Sequence, residues 1–493
     1  MTLLPHLAPL AVAVPLLGAL GVVLAPEGRA GRWVALLAGL GTVALSCGVA
    51  GQVLRDGPIR YTVGGWMPPL GIQLAADGLG AIWLTTVGLV MFLATLYAGA
   101  YLDSGHGTGP SQRGFWALWL FLWAGLNALF LSADLFNIYV TLELSGLAAV
   151  GLVAVSGSLD AWRAAFRYLL FALLGSLLYL LGISLVYGAH GTLDIALLAA
   201  RPVVPAVDAC ALGLMTGGLL IKVALFPAHL WLPPAHGNAA APVSAVLSGV
   251  VIKASFYLLV RLWFWVYPHY LPTGASDFLG FLGAAAVLWG GLQAIRAQRL
   301  KILIAYSTVA QVGYFFLLFP LSHIPVVAAL AWPGALYLAI SHAFSKAALF
   351  LAAGNVVHAV GHDRLGELQG LGRTLPISLS AAALAGASLM GLPPSGGFLG
   401  KWMLLEASIR GGVFWIAAVV LGGGLLAANY LFRFLGPAFS ATGPPAPIHP
   451  VPRVMEVSAL VLALVSVALG LVAPYPLGLL DVGAPLGLFG GAP

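Results

Sequence analysis

One acid and four lysines lie inside or beside long apolar stretches of this chain, where charge is rare. The acid is Glu143, about ten residues into an apolar run that begins near residue 134. The lysines are Lys222, Lys253, Lys346 and Lys401. A charge at the centre of a membrane-spanning helix costs ~2.5–3.5 kcal/mol on insertion scales. We therefore expect these five side chains to face one another or a hydrated cavity.

Two interpretations of these residues are open. A structural ion pair that pins two helices together would use Glu143 and one lysine, but it leaves three lysines without a carboxylate. Unpaired buried lysines lose their proton or need water. Two unit charges about 4 Å apart interact by ~4 kcal/mol at an effective dielectric of about 20, so moving one lysine's proton can decide whether its neighbour is charged. The pattern favours a proton relay.

Three histidines stand close to these lysines in the sequence. His342 precedes Lys346 by one helical turn, which puts both on the same helix face. Because histidine titrates near neutrality, His342 is predicted to continue the relay. His229 and His236 flank a proline-rich segment. They would give protons access to the relay or, alternatively, cap irregular backbone.

The composition places the chain in a membrane. Of its 493 residues, 61% are hydrophobic and 7% are charged, whereas soluble proteins carry about 25% charged residues. Two cysteines, Cys47 and Cys210, are too few for a zinc or iron–sulfur site, and the sequence has no phosphate-binding glycine loop. We therefore expect no metal, no cofactor and no redox or catalytic centre on this chain. Nor does the net charge of +6 predict a nucleic-acid partner, since it is spread over connecting loops.

Fourteen apolar runs predict an all-α, polytopic membrane protein. Each run is long enough to cross a bilayer as a helix, and their uniform hydrophobicity excludes barrel strands, which alternate. The predicted spans are residues 3–25, 33–53, 77–101, 114–133, 134–155, 164–188, 207–227, 242–266, 277–295, 302–320, 329–358, 376–407, 411–436 and 454–473.

The basic residues outside the spans predict the orientation. Loops after odd-numbered spans hold 12 of them, and loops after even-numbered spans hold 5. Lys301, beside two arginines, is counted in the first group as an ordinary charge at a helix end. Because basic loops stay in the cytoplasm, the odd loops are predicted to be cytoplasmic and both termini extracytoplasmic.

Two spans contain proline and glycine close to a lysine. A proline-rich segment follows Lys222, and a Gly-Leu-Pro-Pro-Ser-Gly-Gly segment precedes Lys401. Gly218 stands four residues before the first lysine, and Gly397 four before the second. Paired interruptions are typical of inverted-repeat transporters, whose sites lie at the discontinuities. The sequence therefore predicts two broken helices and an internal repeat.

Several motifs resemble the antiporter-like subunits shared by respiratory complex I, membrane-bound hydrogenases and Mrp-type cation/proton antiporters. The likeness covers roughly residues 65 to 435. Its motifs are residues 226–236, residues 241–249 followed by Lys253, residues 305–314, residues 341–350 and residues 391–401.

This resemblance implies a fourteen-helix subunit with two inverted five-helix repeats. The repeats would span residues 114–270 and 271–436, after three N-terminal helices in 1–113 and before a last helix and tail in 437–493. It also implies a proton path. Glu143 and Lys222 would form the coupling ion pair and Lys253 the central relay, His342 and Lys346 would continue it, and Lys401 would lie at the exit side.

Two parent complexes remain open. The stretch 64–78 looks like the D-type subunit of Mrp antiporters, which favours monovalent cation (Na⁺)/H⁺ exchange in a bacterial inner membrane. His229 and His236 look more like the complex I and hydrogenase relatives, and Ser255 stands where the family commonly has glycine. In either case the expected partners are other subunits, the lipid bilayer and H⁺, together with Na⁺ or K⁺ if the complex exchanges cations.

Overall fold

A computed structural model of the chain describes residues 6–26, 29–105, 112–267, 272–440 and 449–485. Almost all of this is helix, because a helix satisfies its own backbone hydrogen bonds where water is absent. The exception is a hairpin outside the spans, in which strand β1 (Ile59–Thr62) pairs antiparallel with β2 (Gln73–Ala76). The all-α polytopic prediction is confirmed.

The helices that the structure describes in the first half include seven long ones and several short ones. They are α1 (Leu7–Leu24), α2 (Ala30–Asp56), α3 (Gly78–Asp103), α4 (Gln112–Leu131), α5 (Leu135–Ala154), α6 (Leu159–His190), α7 (Ile195–Ala199), α8 (Pro205–Lys222), α9 (Leu232–Asn238), α10 (Ala241–Val246) and α11 (Ile252–Arg261). A π turn (Leu247–Val251) joins α10 to α11, and a second (Leu262–Val266) follows α11, so the four pieces make one span.

The second half repeats this mixture of long and broken helices. Its helices are α12 (Thr273–Arg296), α13 (Leu300–Phe315), α14 (Leu318–Ser322), α15 (Pro325–Val360), α16 (Pro376–Met390), α17 (Gly396–Arg410), α18 (Phe414–Phe439), α19 (Arg453–Ala468) and α20 (Pro474–Asp481).

All fourteen predicted spans coincide with helices, though two are shorter or broken. Twelve helical spans in the described ranges are long and apolar enough to cross a membrane. The predicted span 376–407 is divided between α16 and α17, and the predicted span 454–473 is the 16-residue α19. One boundary differs clearly: the predicted span 207–227 stops at Lys222, where the backbone leaves the helix before Pro227.

The helices that carry most of the buried lysines form the core of the bundle. The span that contains α11 is 94% buried in its membrane window, and the spans of α13 and α15 are 89% and 83% buried. By contrast, α1 and α2 are only 33% buried and present leucines outwards. An outer layer of apolar helices therefore faces the bilayer, around an inner layer that contains the polar residues.

An ion pair fixes α11 against α3 at one end of the bundle. Asp77, which caps the first turn of α3, accepts two hydrogen bonds of 2.5 Å from the Arg261 guanidinium. The same guanidinium lies 4.3 Å from the Trp265 ring centre, a cation–π contact. A bidentate contact of this kind fixes the relative orientation of its partners as well as stabilising them. The pair therefore holds α11 in a fixed position relative to α3.

Glycines allow α6 and α8 to approach closely beside the first break. A Cβ atom added at Gly218 would lie 2.3 Å from the carbonyl oxygen of Gly175, and one added at Gly175 would lie 2.7 Å from that of Gly218. Both obstacles are backbone atoms, which cannot rotate away. This contact fixes the distance between α6 and the end of α8, where Lys222 lies.

Replacing Gly218 by alanine is therefore expected to destabilise the protein, by about 1–3 kcal/mol, the usual cost of overpacking. Gly217→Ala is the matched control, because a Cβ at that position meets nothing within 4 Å. Thermal unfolding of the detergent-solubilised protein measures both. Equal transition temperatures for the two variants would contradict the close-contact interpretation.

Candidate functional site

The first pair predicted from the sequence is present. Lys222 is the last residue of α8, and its Nζ donates a hydrogen bond of 3.4 Å to Oε1 of Glu143 on α5. The Lys222 side chain is 7% exposed and that of Glu143 is 21% exposed. A lysine at a helix C-terminus is also stabilised by the carbonyl end of the helix dipole. The pair therefore holds opposite charges together at the edge of the core.

A small cavity separates this pair from α11. It measures about 20 Å³ and is lined by Lys222, Tyr168, Ala254 and Ser255, among others. A cavity of that size can hold one water molecule. Ser255 contributes a hydroxyl to its wall, at a position where a glycine would contribute none. Since Ala254 and Ser255 directly follow Lys253, the cavity lies between the first and second lysines of the predicted relay.

Lys253 is wholly buried and is bound by oxygen atoms of the core. Its Nζ donates to the carbonyl oxygen of Ser248, which lies in the π turn. The Ser248 hydroxyl is 2.9 Å from the Thr308 hydroxyl of α13, and that hydroxyl in turn donates to the Ile304 carbonyl at 3.0 Å. Lys253 is thus joined to α13 through one serine and one threonine.

Lys346 reaches the same carbonyl from the opposite helix. Its Nζ donates to the Ile304 carbonyl oxygen at 3.0 Å and also to the Ser307 hydroxyl. Lys346 is 0% exposed. Lys253 and Lys346 therefore share one hydrogen-bond network, which passes through the Ile304 carbonyl without any carboxylate.

Lys401 is held by the broken end of α16. Its Nζ donates to the carbonyl oxygens of Leu389, at 2.6 Å, and Met390, at 3.4 Å. In a continuous helix these carbonyls would bind the N–H groups of residues 393 and 394, but both are proline and have none. The double proline thus leaves two carbonyls at the negative end of α16 free to accept an ammonium group.

The three inner lysines have no acid partner in the described ranges. Lys253, Lys346 and Lys401 bind only carbonyl and hydroxyl oxygens there, apart from a contact of 4.6 Å between the Lys401 Nζ and the Tyr314 ring centre. A buried ammonium without a carboxylate is costly. These lysines can therefore exchange protons without first breaking an ion pair.

Two of the predicted histidines lie beside these lysines with no protein hydrogen bond on either ring nitrogen. His342 packs edge-on against Phe315 and lies within Coulombic range of the three inner lysines. His236 stacks on Phe350 at 4.7 Å. Buried polar atoms are normally satisfied by protein or by water, so both rings are suited to bind water next to the lysines.

The third histidine, His229, lies further out. Its ring is next to those of Phe226 and Tyr306, and its Nδ1 has no protein partner either. No three His, Cys, Asp or Glu side chains in the part of the chain that the structure describes gather where they could hold a metal ion. The arrangement of lysines and histidines can hold and exchange protons.

The sequence interpretation missed the polar face of α13. Ser307, Thr308, Gln311 and Tyr314 share one face of this helix and point among the three inner lysines. The spacing of these four polar residues is itself a helical signal. All four residues lie in the motif 305–314, with Tyr314 as its last residue, so the spacing can be read from the sequence.

Lys301 differs from its sequence interpretation. It is the second residue of α13, at a helix end as expected, but it is 7% exposed and donates to the carbonyl of Ala239, the residue that follows α9. It also lies within Coulombic range of His236. The Lys301 side chain therefore binds the C-terminal end of α9 and does not point to solvent.

Comparisons with known proteins identify a family of membrane subunits that this chain matches. Residues 132–427 match the family model described as "NADH:quinone oxidoreductase/Mrp antiporter, TM". The chain is 37% identical to the N-type subunit of NADH-quinone oxidoreductase from Desulforudis audaxviator, over 88% of this chain and 86% of that protein. It is 28% identical to the D-type subunit of the Na(+)/H(+) antiporter from Alkalihalophilus pseudofirmus, over 89% and 87%. A chain of the Mrp complex from Dietzia sp. DQ12-45-1b superposes with a TM-score of 0.86, at 26% identity over 99% of both chains.

Replacing Lys346 by methionine tests whether this lysine supports the fold. Methionine keeps the length of the side chain, and the Ile304 carbonyl retains its bonds from Ser307 and Thr308. The substitution removes a costly buried cation and leaves no charge unpaired. We therefore expect the thermal transition temperature to stay the same or to rise. A fall of several degrees in detergent would instead identify Lys346 as a structural residue.

Proposed function

Because this chain belongs to the NADH:quinone oxidoreductase/Mrp antiporter membrane family, we propose that it moves protons across a cell membrane as one subunit of a larger complex. The path runs from the Glu143–Lys222 pair through Lys253 and Lys346 to Lys401. The observation that carries this proposal is the set of three inner lysines, which are buried and which, among the described residues, bind carbonyl and hydroxyl oxygens and no carboxylate.

The geometry supports movement of charge in steps. When Lys222 separates from Glu143, its charge is no longer neutralised, and a proton on Lys253 becomes less favourable because like charges repel. Lys346 lies within Coulombic range of Lys253 and is the next lysine to which that proton can move. Because the Ser248 and Ile304 carbonyls that bind the two ammonium groups have no proton to pass on, the transfer needs water between them. His342 and His236 are the histidines that lie within Coulombic range of Lys253 and Lys346. We assign His342 to the relay, and His236 and His229 to proton access.

The position of Glu143 supports a partner subunit on the outer face of α5. Its neighbours on that helix, Val140, Leu144 and Leu147, are exposed in the isolated chain. A carboxylate at mid-membrane that is one-fifth exposed to lipid would be costly. We infer that another subunit of the complex covers this face, so that Glu143 is enclosed on both sides.

The two halves of the chain support the proposed division into repeats at residues 114–270 and 271–436. Each half has one broken helix that carries a lysine next to the break: α8 ends at Lys222, and α17 holds Lys401. In each half the broken helix packs on a long helix through glycine, since Gly400 touches the backbone of Leu338 on α15 as Gly218 touches that of α6. The greater number of basic residues in the loops after odd-numbered spans supports an orientation with both termini outside the cytoplasm.

Two parent complexes fit this function, and different observations favour each. The resemblance of residues 64–78 to the D-type antiporter subunit favours exchange of Na⁺ for H⁺. The identity of 37% with the N-type subunit of NADH-quinone oxidoreductase, against 28% with the D-type subunit of the Na(+)/H(+) antiporter, favours a complex in which redox chemistry in other subunits drives the relay. The relay on this chain would be the same in both.

Glu143→Gln and, separately, Lys222→Ala are expected to reduce proton translocation by about tenfold or more, because each removes one charge of the coupling pair. The measurement is dye-monitored proton movement in vesicles that contain the assembled complex. Glu406→Gln is the matched control, since Glu406 pairs with Arg410 at the end of α17 and forms no ion pair with a relay lysine among the described residues. Unchanged translocation in both site variants would overturn the relay.

The parent complex is tested by purifying the tagged chain in mild detergent and identifying the proteins that stay bound. Small antiporter subunits, together with proton movement that requires Na⁺ or K⁺, would support the first candidate. Quinone-oxidoreductase or hydrogenase subunits, with proton movement that is independent of both cations, would support the second. Recovery of a chain with no other subunit would contradict both.

A further inference from the structure

Lys346 and Lys401 do not share a hydrogen-bond acceptor. Lys346 donates to the Ile304 carbonyl and the Ser307 hydroxyl, whereas Lys401 donates to the carbonyls of Leu389 and Met390. A backbone carbonyl accepts a hydrogen bond but has no proton to pass on. A proton that moves between these two lysines therefore needs side chains that both accept and donate.

Hydroxyl groups occupy the space between them. Ser307 lies at the Lys346 ammonium, and Tyr430 of α18 lies close to Ser307 without a direct hydrogen bond between the two hydroxyls. Tyr430 is 1% exposed, and its hydroxyl accepts a hydrogen bond of 3.4 Å from Nε2 of Gln311. The same Gln311 Nε2 donates to the Leu389 carbonyl at 3.1 Å, the oxygen that also binds Lys401. A continuous set of polar contacts thus runs from one lysine to the other.

The last gap, from Tyr430 to Lys401, is bordered by polar atoms without a protein partner. Gln311 Oε1 and the Tyr314 hydroxyl are both buried and unbonded in the protein, and the Tyr314 ring touches the Lys401 ammonium. Gly423 makes room for the Tyr314 hydroxyl, since a Cβ there would lie 2.1 Å from it. Two such atoms are suitable partners for one buried water.

We propose that Ser307 and Tyr430 conduct the proton between Lys346 and Lys401, an inference that rests on the proposed function. The Ser307 hydroxyl first rotates from the Ile304 carbonyl towards Tyr430. The Ser307 oxygen then takes a proton from the Lys346 ammonium while the serine's own proton passes to the Tyr430 oxygen. The original proton of Tyr430 leaves to a water beside Gln311 and Tyr314, and that water gives a proton to neutral Lys401. Each hydroxyl again carries one proton, and both rotate before the next transfer.

Gln311 has a different part in this arrangement. An amide does not exchange protons readily, so Gln311 is a positioning residue. Its Nε2 fixes the Tyr430 hydroxyl and the Leu389 carbonyl relative to each other, which keeps the end of the path at the place where Lys401 binds.

Tyr430→Phe removes only the hydroxyl, and we expect it to lower proton translocation in vesicles with the assembled complex by about tenfold or more. Ser307→Ala should act similarly, and Ser307→Thr, which restores a hydroxyl, should recover most of the rate. Because both hydroxyls lie on one path, Ser307→Ala combined with Tyr430→Phe should be no slower than the slower single variant.

Tyr97→Phe is the matched control for Tyr430→Phe. Tyr97 is also fully buried and donates its hydroxyl to a backbone carbonyl, that of Leu351, away from the lysines. Equal rates for the two phenylalanine variants, or single-variant losses that multiply in the double variant, would overturn the inference. Loss of rate in Ser307→Thr equal to that in Ser307→Ala would also overturn it, because packing and not the hydroxyl would then be responsible.

Lys346→Met, measured in the same vesicles, separates this inference from the proposed function. If Lys346→Met abolishes translocation and Tyr430→Phe does not change it, the relay stands and the assignment of Tyr430 is wrong. If Lys346→Met leaves translocation unchanged, the relay itself is wrong, and the proposed role of Tyr430 is overturned with it.

Discussion

The structure depends on how lysine ammonium groups are held in a place that water reaches poorly. A buried cation must be bound by oxygen atoms or lose its proton. Among the four relay lysines, only Lys222 has a carboxylate as its partner in the described ranges. The oxygens around the others belong to the Ser248, Ile304, Leu389 and Met390 carbonyls and to one hydroxyl. Neutral dipoles of this kind stabilise an ammonium less than a carboxylate does, so protonated and neutral lysine stay close in free energy.

This requirement accounts for the irregular helices of the core. A regular helix uses its carbonyls internally, and only those at its end lack an N–H partner. The Ile304 carbonyl, which lies inside α13 and also binds Lys346, is the exception. Lys222 lies at the end of α8, Lys253 follows a π turn, and Lys401 binds the end of α16. The outer helices carry no such lysines and are long and mostly regular, as membrane spans that face lipid should be.

Much of the site could be predicted from residue types alone. Charged residues in apolar runs are few, so Glu143 and the four lysines were identifiable without any structure, and the two breaks followed from proline and glycine. The end of α8 at Lys222 was placed five residues too late, because a run of apolar letters continues through the break to Pro227. The hairpin of β1 and β2 was missed because four-residue strands are too short for a periodic signal.

The contacts across the core could not be predicted in the same way. Tyr430 is one tyrosine in an apolar helix, and nothing within α18 indicates that its hydroxyl meets Gln311, 119 positions earlier in the chain. The polar face of α13 did have a helical spacing, but its meaning depends on which helices pack against it. Tertiary packing, and not local sequence, brings α13 between α11, α15 and the break after α16.

At the double proline after α16, the contact with Lys401 uses backbone atoms, so it does not depend on the side chains of the residues that supply them. Leu389 holds Lys401 with its carbonyl, a group that every amino acid possesses, so the side chain at this position has no direct part in that contact. The contact depends instead on Pro393 and Pro394, which touch neither the ammonium nor the proton but withhold the N–H groups that would otherwise occupy the two carbonyls. At a site of this kind, the residues that supply the binding carbonyls can change their side chains without loss of the contact. The two prolines, which do not bind the lysine, cannot be replaced in the same way.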